Sequence, residues 1–179
     1  MKWVFAAIAL LSLSGCLLSD RPLLQDEVAA PLLTQGDASV HSLVPGASTP
    51  DTSAQVHLLA DGDYEVASAG EAPRRFRFVM LEKDIYVASN SGADGKTLYW
   101  LARPTDNHVV RFRLIRVTEK VGAAAVAAGA TCHNFPRDPA YPNLPATCAF
   151  STKASLLAVL RVAAAEPAAI ADMFDFIQK

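Results

Sequence analysis

Between Gln55 and Val117 the chain is a train of short apolar runs cut by turn chemistry, and this pattern limits its fold more than any other feature. Val56 to Leu59 ends at Ala60-Asp61-Gly62-Asp63, and Tyr64 to Ala67 follows. Asp61-Gly62 is a favoured hairpin pair because both residues tolerate positive φ, which matches strand twist. Arg74 to Leu81 alternates, with Phe76, Phe78 and Met80 on one side and Arg75, Arg77 and Val79 on the other. Ile85 to Ala88, Thr97 to Leu101 and Val109 to Val117 continue the series, separated by turns at Glu82-Lys83-Asp84, Asn90 to Lys96 and Pro104 to His108. The spacing predicts six strands in an antiparallel meander.

Beyond Thr118 the period moves toward helix. Glu119 to Ala130 is rich in Ala, although Gly122 and Gly129 each cost about 1 kcal/mol of helix propensity relative to Ala. Ser151 or Thr152 can cap a helix that places Leu156, Leu157, Leu160 and Ala164 on one face. Pro167 suits the first turn of a further helix, with Ile170, Met173, Phe174 and Ile177 at i, i+3, i+4, i+7 and Asp172 and Asp175 turned away. Strands followed by helices imply an α+β fold, with C-terminal helices packed on the sheet.

The chain opens with Met1-Lys2, runs through an apolar stretch from Trp3 to Leu13 and reaches Leu13-Ser14-Gly15-Cys16, the three-part layout of a secretory signal. Ser12, Ser14 and Gly15 interrupt the apolar run, which is shorter than the roughly 20 residues a membrane-spanning helix needs. Leu13-Ser14-Gly15-Cys16 resembles the lipobox of bacterial lipoproteins. That resemblance implies cleavage before Cys16, a diacylglyceryl group on its thiol, and attachment to a membrane through the lipid. Leu17 stands where an Asp retains enteric-type lipoproteins at the inner membrane, which implies the outer membrane, facing the periplasm.

Loss of residues 1–15 leaves 164 residues, enough for one domain. Residues 16–53 are rich in Ser, Thr, Pro, Gly, Ala and Asp and show no sustained period, which predicts a lipidated cysteine followed by a flexible tether. Its Leu23-Leu24 and Leu32-Leu33 pairs leave room for part of it to pack on the domain, which is expected over residues 54–179. The mature chain carries 15 basic and 18 acidic side chains, which argues against nucleic acid as the main partner. With Cys16 acylated, Cys132 and Cys148 form an even pair, most simply a disulfide in an exported protein. His133 beside Cys132 does not complete a zinc set.

Three groups of side chains bear on function. His41, His57, His108 and His133 are scattered without metal-ligand spacing, and the sequence holds no GxSxG, HExxH, Walker loop or GxGxxG. No catalytic residue, metal or cofactor is indicated. Arg75 with Arg77, and Arg111 with Arg113, are doublets at period 2, which pairing of their strands would join into a basic stripe. Such a stripe either grips phosphates and carboxylates of an envelope component or merely solvates a sheet face. Between the cysteines, Pro136, Pro139, Pro142 and Pro145 recur every three residues, the period of polyproline II. They would form one ridge, with Asp138, Tyr141 and Leu144 along a second. A rigid loop loses little entropy on binding, so this edge is either a recognition surface or a stiff strap. The expected function is a non-enzymatic binding or structural module for a protein or an anionic envelope component. A periplasmic inhibitor or immunity-type protein and a small hydrolase are the alternatives.

Overall fold

The computed structural model describes residues 16–44, 51–92, 94–106, 108–136 and 145–179. The elements in chain order are β1 (Leu17–Ser19), β2 (Gly36–Ser42), β3 (Thr52–Leu58), β4 (Tyr64–Ser68), β5 (Arg74–Glu82), β6 (Ile85–Ser91), β7 (Thr97–Pro104), β8 (Val109–Ile115), α1 (Glu119–Ala127), β9 (Thr131–His133), β10 (Thr147–Ala149), α2 (Lys153–Ala164) and β11 (Ile170–Gln178). A short 3-10 turn at Pro167–Ala169 precedes β11. Strands β2 to β8 follow one another as neighbours, β11 lies between β8 and β2, and β6 pairs with β7. The result is a closed, antiparallel barrel of eight strands; among the described residues 46% are in strands and there are only two short helices.

The α+β expectation is therefore wrong: the protein is mostly β, and its sheet is a closed ring rather than an open meander covered by C-terminal helices. One cause is β11, which was expected as a helix. Its pairing with β8 shifts register between Asp172 and Phe174, so Met173 is an extra residue in a β-bulge. The bulge resets the alternation, and two apolar residues fall side by side as they would on a helix face. The other cause is β2, which lies in the segment expected as tether. Its inward residues Ala38 and Val40 are small and give little apolar signal, yet β2 pairs with both β3 and β11.

Two cores lie on opposite sides of the strands. Inside the barrel, Phe78, Phe112 and Phe176 pack with Tyr64, Val56 and Val110, and Ala38, Ala54, Ala88 and Ala102 make room for the rings. Large faces small in register, Phe78 opposite Ala88 and Ala102 opposite Phe112, which fills a narrow barrel without overpacking. Outside it, Val79, Leu81, Val87, Tyr99, Leu101 and Ile115 are covered by α1, α2 and residues 17–24. In α2, Leu156, Val159, Leu160 and Ala163 are buried at helical spacing, and full burial of a Leu side chain is worth about 1.5–3 kcal/mol. Thr118 caps α1 by accepting from the Val121 amide, and Thr152 caps α2 by accepting from the Ser155 amide, each at 3.2 Å. Among the described residues no helix is long and apolar enough to cross a membrane.

Most of the segment expected as tether is built into the fold, and residues 45–50 of it lie outside the described residues. Leu17, Leu23 and Leu24 are buried in the outer core and Leu33 in the barrel interior. β1 pairs with β7 over Leu17 to Ser19 and with β10 on its other side. The Leu23 amide donates to the Tyr99 hydroxyl at 3.1 Å, and the Tyr64 hydroxyl donates to the Leu33 carbonyl at 2.9 Å.

Candidate functional site

Alternation places all four arginines of the two doublets on the outer face, since Phe76, Phe78, Phe112 and Leu114 take the inward positions. It does not join them. β6 and β7 separate β5 from β8 around the barrel, so the doublets occupy different sides and no continuous stripe forms.

Each doublet meets aspartates that sequence reading treated as turn residues or as the polar face of a helix. On β5, Arg75 Nε lies 2.7 Å from Asp63 Oδ2, and its terminal nitrogen pairs with Asp61. Arg77 Nε lies 2.6 Å from Asp63 Oδ1, and both of these side chains are buried. The rest of the Arg77 guanidinium donates to the carbonyls of Gln25 and Glu27 at 3.0 Å and of Asp61 at 3.3 Å. Arg77 thus ties the N-terminal segment, the β3–β4 hairpin and β5 together. On β8, Arg111 grips Asp175 through two nitrogens at 2.8 and 2.9 Å and reaches Asp172 at 3.3 Å, while Arg113 Nε lies 2.8 Å from Asp172. Hydrogen bonding to Asp63 and to Asp175 raises the pKa of Arg75 and Arg111, respectively, above the ordinary guanidinium value. All four guanidinium groups are ion-paired with aspartates within the molecule, and Arg75, Arg77 and Arg111 also spend terminal N–H donors there that would otherwise bind an external phosphate or carboxylate.

Cys132 and Cys148 form the expected disulfide, with an S–S distance of 2.07 Å, and sit opposite one another in the β9–β10 ladder. The loop positions singled out for recognition, Asp138, Tyr141 and Leu144, lie outside the described residues. At the loop's start, Phe135 stacks its ring where a Cβ on Gly122 would stand, at 2.3 Å from Phe135 Cε2. The glycine that weakens α1 by propensity is the one that lets the loop lie against the helix.

The histidines do not converge. His41 Nδ1 pairs with Asp51 Oδ1 at 2.7 Å, His57 faces Glu65 across β3 and β4, His108 lies in the β7–β8 turn and His133 on β9. Among the described residues no group of three or more His, Cys, Asp or Glu side chains could hold a metal ion.

Cys16 is buried at the rim of the barrel with Leu114 and Met173, and Leu98, Trp100, Ala171 and Phe174 pack around that cluster. Burial pushes its thiol above the ordinary value. No protein-family model, curated protein or solved structure gives a significant match to the chain.

Proposed function

We propose that the chain is a bacterial lipoprotein, cut before Cys16 and lipidated there, whose mature part is a non-enzymatic binding or structural module on the periplasmic side of the outer membrane. The observation that carries this reading is the sequence Leu13-Ser14-Gly15-Cys16 after an apolar stretch. The position of the cut is compatible with the fold, because every described strand and helix begins at Leu17 or later and would survive removal of residues 1–15. A barrel filled by its own aromatic side chains is a rigid scaffold rather than a container. The aspartates that engage all four arginines favour a protein partner over an anionic envelope component.

Replacing Cys16 with Ser tests the anchor. The wild type is expected in the membrane fraction with an N-terminus blocked by lipid, and Cys16→Ser in the soluble fraction. A variant that stays membrane-bound, or a wild-type N-terminus without lipid at Cys16, refutes it.

A further inference from the structure

We propose that the end of the barrel nearest Cys16 lies directly on the bilayer, so that the protein is seated on the membrane rather than held away from it on a stalk. The inference rests on the lipid-anchor reading above and adds a distance and an orientation to it.

The distance follows from the residue after the anchor. Leu17 is fully buried, and it pairs with Tyr99 of β7 on one side and Cys148 of β10 on the other. A free chain gains at most about 3.3–3.6 Å per residue, and here no free residue separates the cysteine from the strand. A lipid on Cys16 therefore emerges from the wall of the barrel itself.

The orientation follows from the two ends being unlike. One end, where β3 finishes and β4 begins, is closed by the chain's own Ala30, Leu32 and Leu33, which join the interior core. The Tyr64 hydroxyl holds the Leu33 carbonyl there, and Gln178 accepts from the Thr34 amide. At the other end, Leu98 is the second residue of β7, Leu114 the last but one of β8 and Ala171 the second of β11. These residues surround Cys16. Inward-facing Val40, Val66, Phe76, Trp100 and Phe174 are each only partly buried and form a partly exposed apolar rim at this end. Aromatic side chains at a rim suit the boundary between headgroups and hydrocarbon. Acyl chains carried on Cys16 would leave its cluster past Leu98, Trp100 and Phe174, so the anchor and the rim present one apolar surface to the same partner, a phospholipid bilayer.

The experiment uses the mature lipidated protein in phosphatidylcholine vesicles whose acyl chains are brominated. The chain has two tryptophans, and loss of residues 1–15 removes Trp3, which leaves Trp100 at the rim as the only tryptophan. Trp100 emission is expected to fall several-fold relative to unbrominated vesicles. Fluorophores placed by Lys96→Cys, in the β6–β7 turn, and by Asp106→Cys, in the β7–β8 turn, read the two ends separately. The Lys96 label is expected to be quenched and the Asp106 label not. Protein that floats with the vesicles while Trp100 and both labels stay bright overturns the seating and leaves the anchor standing. Stronger quenching at Asp106 overturns the orientation and frees the Cys16 rim for a periplasmic partner. Protein that does not float removes the anchor and the seating with it.

Discussion

Replacing Arg77 with Met removes the cation from the most enclosed ion pair in the described structure while keeping most of the side chain's bulk. Asp63 is 2% exposed at its side chain and Arg77 7%, so solvent cannot compensate when one partner goes. Loss of one member of such a pair costs about 3–5 kcal/mol, most of it from stranding the other charge. Arg75 stays on Asp63 Oδ2, but it is 53% exposed and offsets little. The Gln25 and Glu27 carbonyls also lose their donor. For a chain of this length the expected fall in melting temperature is roughly 10 °C or more. A second variant isolates the cause. Asp63→Asn combined with Arg77→Met removes both charges and should be more stable than Arg77→Met alone, because neutralising a buried pair together is far less costly than breaking it. Thermal unfolding followed by circular dichroism reads both. Amide exchange at Ala30, whose N–H donates to the Phe78 carbonyl at 2.8 Å, should accelerate in Arg77→Met as the N-terminal segment loosens. A loss below about 1 kcal/mol for Arg77→Met, or a double variant less stable than the single, would refute the stranded-charge argument.

Gly122→Ala is expected to lower stability by about 1–3 kcal/mol despite a gain of about 1 kcal/mol in helix propensity, because the new methyl meets the Phe135 ring; denaturant titration decides the sign. Burial raises the pKa of Tyr64 and Tyr99, so the unfolded chain loses phenolic protons first as pH climbs. That contribution is fully present below the ordinary phenol value of about 10 and is lost as pH rises through the higher folded values, so the unfolding midpoint should fall on the alkaline side and be flat near neutrality. Reducing the Cys132–Cys148 bridge opens a closed loop with a sequence separation of 16 and is expected to cost about 3 kcal/mol, measured as the difference in unfolding free energy with and without reductant.

Local chemistry made the middle of the chain legible. Asp61-Gly62 marks a hairpin, with Gly62 at φ 82°, and all six segments expected as strands between residues 55 and 117 are strands, with ends displaced by a few residues. Closure was not legible, because it depends on partners far away in sequence. β2 carries only Ala38 and Val40 as inward apolar residues, and its place in the barrel is set by β3 and β11 together. In β11 the bulge at Met173 made a strand resemble a helix, and the same bulge explains the missed aspartates. Arg111 and Arg113 are two residues apart, Asp172 and Asp175 are three apart, and only an extra residue on β11 brings both pairs into register. The even cysteine pair pointed to the disulfide. The charge on the barrel surface was misjudged because each strand was read without the neighbour that neutralises it.

The seam between β2 and β11 joins the first and last strands of the ring, with Val40 beside Phe176. Every other barrel pairing except β8–β11 links strands consecutive in the chain, so most of the wall can assemble as hairpins while the final nine-residue strand is still missing. Until that strand arrives, β2 and β8 each present a row of unpaired amides and carbonyls, open to any other extended chain. Closing over so long a loop is slow compared with forming hairpins, which prolongs the exposure. The ring therefore works as a gauge of completeness: a chain that stops short of Ile170 keeps two adhesive edges, and one that reaches Gln178 has none in its barrel.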